Sequence, residues 1–201
     1  MKRFSLVRLF LSLLEDNDVV VVSGEKLGEQ AFKYDKEGYF YIDCVGMAIS
    51  TALGIANNTD KRVFVLCNDG DFLRDIGATA QVAVSVCKNV FVVIFDEGRY
   101  SDDGGSPTIF RTVTSIKGFL FNLGFGVNDY SDYFYKKGPL SKLKHILDRS
   151  TGPMAIIIKV ETKGSKKFDK IPHSKRKLRN RINKFVRDNS LGTSLYTIRE
   201  M

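Results

Sequence analysis

Along this chain, short and mostly apolar runs alternate with segments in which apolar residues recur every three or four positions. The runs at 18–23, 62–67, 90–96 and 154–160 are too short for buried helices and rich in β-branched residues, so they predict strands buried on both faces. Residues 39–42 predict one further short strand. Helical spacing predicts helices over 4–14, where Leu6, Leu9, Phe10, Leu13 and Leu14 share a face, and over 29–34, 46–56, 72–86, 113–123 and 140–147. Residues 97–108, rich in Gly, Asp and Ser, read as a loop. Apolar strands separated by helices predict a three-layer α/β fold, a mostly parallel sheet with helices on both faces. In such sheets ligands bind beyond the carboxyl ends of the strands. The segments after Ser23, Cys67 and Asp96 are therefore where chemistry is expected.

Composition adds bounds. The chain has 201 residues, 43% apolar and 27% charged, enough for a real core. No apolar run approaches the roughly 18 residues that span a bilayer. The basic N-terminus lacks the pattern of a cleaved leader, because Arg8 and then Glu15-Asp16 interrupt it. Three cysteines, Cys44, Cys67 and Cys87, are odd in number and lie in no CxxC spacing, which suggests free thiols in a reducing cytoplasm. The absence of such a pairing, with only two histidines, argues against structural zinc.

The net charge of +8 is unevenly placed. Residues 1–162 carry a net −1, residues 163–187 a net +10 and residues 188–201 a net −1. A near-neutral body at 1–162 is thus followed by a basic extension at 163–201. Leu178, Ile182, Phe185 and Val186 recur at helical spacing, so the basic segment is expected to dock one apolar stripe and leave its charges in water, rather than to bind nucleic acid.

Two strand ends carry the candidate chemistry. The strand at 62–67 runs into Asn68-Asp69-Gly70-Asp71-Phe72, which opens a helix. The strand at 90–96 ends in Asp96-Glu97-Gly98-Arg99-Tyr100. One strand–helix–strand unit separates Asp69 from Glu97, which sets the two strand ends side by side. Carboxylates there, next to free helix N–H groups, suit a divalent cation and a phosphate; turn and capping roles would explain the same residues.

The combination of Ala52–Ala56, Asn68-Asp69-Gly70, Asp96-Glu97-Gly98, Tyr100 and Gly104-Gly105-Ser106-Pro107-Thr108 resembles the diphosphate-binding domain of thiamine diphosphate-dependent enzymes. The likeness covers about residues 5–162 and is nearest to the beta-type subunit of phosphonopyruvate and sulfopyruvate decarboxylases. It implies Mg²⁺ held by Asp69, by Glu97 and by the main-chain carbonyl of Arg99. It also implies diphosphate contacts from the main chain of Gly70, Asp71 and Phe72, with Tyr100 on the adjoining loop. Val45 would lie beneath the bent cofactor, Met47 two residues on, and Ser23-Gly24 near the aminopyrimidine. Arg99 is a candidate for the substrate's phosphonate or sulfonate. The sequence departs from the family pattern at Asn68 for Gly, Glu97 for Asn, Asp71 for a small hydroxyl residue, and Asp102 and Asp103 for Ser or Thr.

The resemblance implies an inactive half-site: the catalytic Glu is expected on a separate pyrimidine-binding, alpha-type subunit in an α₂β₂-like assembly. The implied reaction is decarboxylation of a small anionic 2-oxoacid to an aldehyde. An acetolactate-synthase-like carboligase half and a non-catalytic, regulatory relative are the alternatives. His145 and His173 are expected at the surface.

Overall fold

A computed structural model describes residues 3–85, 88–101, 103–130, 140–161, 171 and 175–189. The order of elements is α1 (Arg3–Leu11), β1 (Val19–Ser23), α2 (Glu25–Phe32), β2 (Tyr39–Ile42), α3 (Ala48–Ala56), β3 (Val63–Asn68), α4 (Asp69–Arg74) and α5 (Ile76–Val84). It continues with β4 (Val90–Asp96), α6 (Ile109–Thr112), α7 (Ile116–Asn122), β5 (Gly126–Asp129), α8 (Leu140–Arg149), β6 (Met154–Lys159) and α9 (Lys175–Asn189). The strands form one parallel sheet in the order β2-β1-β3-β4-β6-β5.

The sheet is apolar on both faces because side chains alternate along strands that are covered on both sides. Val20, Val22, Phe64, Leu66, Phe91, Val93, Ile156 and Ile158 face α1, α2 and α8. Val19, Val21, Val63, Val65, Val92, Ile94 and Ile157 face the layer of α3, α5 and α7. Leu6, Val7, Phe10 and Leu11 bury one side of α1, and Phe10 meets Phe64 edge to face at 5.9 Å. At the amino edge of the sheet, Arg62 forks onto Asp18 with two hydrogen bonds of 2.7 Å.

Three elements differ from the sequence expectation. The helix expected over 72–86 is two helices broken at Asp75, whose carboxylate accepts the N–H groups of Ile49 and Ser50 at 2.7 and 3.2 Å. Capping α3 from outside outweighs continuing one helix. The helix expected over 113–123 begins only at Ile116, as α7, because Ser115 caps it by accepting the Gly118 N–H, and a short helix that the sequence did not announce, α6, precedes it. Strand β5 has no apolar run to announce it, because it is an edge strand whose residues are half-buried or exposed.

The basic segment at 175–189 is a helix, α9. Leu178 is buried, and Ile182, Phe185 and Val186 pack onto the sheet's second face. Phe185 meets Phe40 at 5.3 Å, and Arg181 pairs with Asp35 at 3.1 Å. Among the described residues Cys44 and Cys67 are free thiols, and no helix is long and apolar enough to cross a membrane. Cys87, Asp102 and His173 lie outside the described residues, and His145 is exposed.

Candidate functional site

The carboxyl ends of β1, β3 and β4 hold Ser23, Asn68 and Asp96 on one edge of the sheet, where the connections reverse direction between β1 and β3. Asn68 has φ −85° and ψ 163°, ordinary extended backbone, so this position does not require glycine. Asp69 then opens α4 and is wholly buried. One carboxylate oxygen accepts the Glu97 N–H at 3.0 Å, and the other accepts the Thr108 hydroxyl at 2.6 Å. Burial pushes the Asp69 carboxyl up to about 6 against those two hydrogen bonds, and the negative charges of Asp96 and Glu97 push the same way. Burial also raises Asp96, which accepts the Gly98 N–H at 3.0 Å.

The loop after β4 folds back over this turn. Arg99 and Pro107 form an antiparallel bridge, and the Tyr100 N–H donates to the Ser106 carbonyl at 2.8 Å. Gly98, Gly104 and Gly105 take φ of 65°, 65° and 80°, which lets the loop reverse. The Tyr100 ring lies on Gly70 so closely that a Cβ there would stand 2.8 Å from its Cδ1. Arg74 stacks over the same ring at 4.9 Å, lies 3.7 Å from Asp71 and reaches the exposed Asp103 at 3.5 Å. Lys26 of α2 ties the loop down through the Ser101 carbonyl at 2.8 Å.

The structure brings residues 69 and 97 together through the Glu97 main chain. The Glu97 side chain, only 7% exposed, pairs with Arg3 and accepts the Ser101 hydroxyl, and Arg99 Nε stands 3.9 Å away. Arg3 carried no signal in the sequence, because nothing local marks a helix residue that reaches a loop more than ninety positions away. Thr108 was visible only as the last member of the Gly-Gly-x-Pro-Thr run.

The remaining expected residues surround this centre. Gly24 has φ 77° and starts α2, and the Ser23 hydroxyl is buried with no hydrogen-bond partner among the described residues. Val45 is half-buried, Met47 is 50% exposed at the start of α3, and Phe72 is buried against Phe110 and Phe119.

The donors suit a divalent cation. Asp69 supplies hard oxygen, and each of its carboxylate oxygens keeps a lone pair beyond the hydrogen bond it accepts. A cation there would relieve a buried anion. The orphaned Ser23 hydroxyl is a polar atom awaiting a partner on the same edge. Among the described residues, no three His, Cys, Asp or Glu side chains cluster as an all-protein metal cage.

Comparison with known proteins adds to this geometry. No protein-family model matches the sequence. The chain is 28% identical over 133 residues to sulfopyruvate decarboxylase subunit beta of Methanothermobacter thermautotrophicus, an alignment spanning 66% of this chain and 71% of that subunit. It is 30% identical over 110 residues to phosphonopyruvate decarboxylase of Streptomyces viridochromogenes, across 54% of this chain but only 28% of that enzyme. Its fold superposes, with a TM-score of 0.62 and 16% identity, on an enzyme from Mycobacterium smegmatis assigned to the thiamin diphosphate-dependent class, covering 81% of this chain and 32% of that one. The chain thus has the fold of thiamine diphosphate-dependent enzymes, and over about two thirds of its length its sequence is similar to the beta subunit of sulfopyruvate decarboxylase.

Proposed function

We propose that the chain is the cofactor-binding, beta-type subunit of a thiamine diphosphate-dependent 2-oxoacid decarboxylase. The observation that carries this reading is the wholly buried Asp69 carboxylate at the end of β3, on the sheet edge where this fold takes its ligands. In this reading Asp69, Glu97 and the Arg99 carbonyl hold Mg²⁺, and the Gly70, Asp71 and Phe72 main chain opens α4 toward the diphosphate. Val45 and Met47 border the cofactor's bend, Ser23 and Gly24 lie toward its pyrimidine, and Tyr100 fixes the loop over Gly70.

Thiamine diphosphate, when bound, supplies the electron sink for loss of CO₂. The chain's own work is positional. Asp69 fixes the charge that anchors the cofactor's tail, and its bonds to Glu97 and Thr108 lock the loop that roofs the site. The Arg99 guanidinium, about one-third exposed, would meet the anionic end of a phosphonate- or sulfonate-bearing 2-oxoacid.

A second chain completes the site. Met47, Ile76, Ile109 and Val113 are large apolar side chains left exposed, at 50%, 38%, 44% and 80%. All four start or follow helices that leave the carboxyl edge of the sheet, the edge that carries Asp69. Exposed apolar surface beside a ligand edge supports a covering partner, here a pyrimidine-binding, alpha-type subunit that brings the catalytic carboxylate, in an α₂β₂-like cytoplasmic assembly. Alone the chain is inactive.

The test is to co-purify the chain with a pyrimidine-binding subunit and measure CO₂ release from phosphonopyruvate, sulfopyruvate and pyruvate, with thiamine diphosphate and Mg²⁺. Turnover of one of the first two, absent from either chain alone, is expected. CO₂ release from pyruvate with a coupled, acetolactate-type product in place of an aldehyde would point to carboligation, and an assembled pair that binds the cofactor yet releases no CO₂ to a regulatory relative.

A further inference from the structure

Three side chains from three separate elements converge on one guanidinium at the head of α1. Arg3 Nε donates to Gln30 Oε1 of α2 at 3.1 Å. Its Nη1 donates to Asn68 Oδ1 at the end of β3 at 3.4 Å, and the same nitrogen pairs with Glu97 Oε1 beyond β4. Arg3 and Glu97 side chains are 13% and 7% exposed, so this pair is largely withdrawn from water.

Helix α1 does not need this contact to dock, because Leu6, Val7, Phe10 and Leu11 already bury its apolar side against the sheet. The contact answers a charge problem instead. Asp69, Asp71, Asp96 and Glu97 all lie at or just beyond the carboxyl ends of the neighbouring strands β3 and β4. Arg74 stands by Asp71, and the partly exposed Arg99 stands 3.9 Å from Glu97. Arg3 is the cation in close contact with the Glu97 carboxylate, and it also meets Asn68. Both positions depart from the family pattern, Glu97 by a full negative charge and Asn68 by a carbonyl dipole, and one guanidinium serves both.

We propose that Arg3 is the resident, tethered counter-ion of Glu97, and that a divalent cation bound through Glu97 takes its place. The proposal rests on reading Asp69 and Glu97 as cation ligands. Leaving a carboxylate so little exposed ionised without a counter-charge is costly. Arg3 and the metal are therefore alternatives, and each weakens the other's hold on Glu97 by the same factor. Cation binding frees Arg3 and loosens the first turn of α1. Asp69 has no part in the exchange, since its two contacts are a main-chain N–H and the Thr108 hydroxyl.

The experiment uses the full chain and Mn²⁺ as probe, followed by the loss of the free-ion paramagnetic resonance signal, in the presence of thiamine diphosphate. Arg3→Gln keeps polar contacts and removes the charge; it is expected to bind Mn²⁺ at least tenfold more tightly than the parent, and adding Glu97→Gln should abolish the gain. Parent and Arg3→Gln binding equally, with Asp69→Asn binding weakly, would overturn the proposal and leave the cation site standing. No Mn²⁺ binding by the parent or by Arg3→Gln would overturn both. Hydrogen exchange on the parent chain decides the matter without any variant. Amides in the first turns of α1 should exchange faster when Mn²⁺ is added, and unchanged or slower exchange there would contradict the exchange of counter-ions.

Discussion

The carboxylate of Asp69 accepts the backbone N–H of Glu97 at 3.0 Å, so the turn after β3 and the turn after β4 are joined by a single buried charge. This contact makes the ligand edge sensitive to protonation. Burial favours the neutral form of the Asp69 carboxyl and pushes it up from its ordinary 3.8 to about 6 in the folded chain. Between those values the folded state binds more protons than the unfolded state. Stability should therefore fall as pH rises from about 4 to about 6, and stay level above that as far as this group is concerned. The shift corresponds to about 3 kcal/mol at most. Urea unfolding at pH 5 and pH 7.5 is expected to show the loss, and Mg²⁺ with thiamine diphosphate to reduce it.

Replacing Asp69 by Asn separates stability from binding. The variant keeps the shape and removes the buried anion, so the ligand-free chain should gain about 1–3 kcal/mol at pH 7.5 and lose its pH slope. The same change should abolish divalent-cation binding. Denaturation midpoints and Mn²⁺ titration on one preparation check both halves.

Gly70 permits the close approach of Tyr100. Gly70→Ala sets a Cβ 2.8 Å from the Tyr100 ring and 3.2 Å from its Cα, so the loop over the site must lift. A loss of about 1–3 kcal/mol in urea unfolding is expected. Adding Tyr100→Ala should restore only part of it, because the main-chain contact remains.

Asp75 holds the start of α3 by accepting two N–H groups there. Asp75→Ala should cost about 1–2 kcal/mol. It should also weaken thiamine diphosphate binding severalfold, since α3 begins beside Met47 and Val45. Calorimetry against the unfolding midpoint distinguishes this from a purely structural effect: the affinity should fall even where the variant is fully folded.

The layered α/β architecture was legible because each buried strand is a compact β-branched run, as in Val19–Ser23 and Val90–Asp96. The edge strand Gly126–Asp129 was not, because its residues are half-buried or exposed and no apolar run marks it. Helices α4 and α5 read as one because the break at Asp75 comes from a distant cap rather than from Gly or Pro. At the site, the turns around Asp69 and Glu97 announced themselves at strand ends. The direction of the Glu97 side chain did not, because Arg3 lies on another element and Ser101 reads as ordinary loop. Sequence patterns report faces and turns; they do not report which partner a charged side chain chooses across the fold.

In the proposed function, Asp69 anchors a cation-bridged thiamine diphosphate on this chain. Calorimetric titration of thiamine diphosphate with Mg²⁺ into the chain assembled with a pyrimidine-binding subunit, with the Asp69→Asn assembly alongside, is the direct test. The account predicts one cofactor per beta-type chain, dependent on Mg²⁺ and lost in the variant. Binding that is absent from the intact assembly, or equal in the two assemblies, would contradict it.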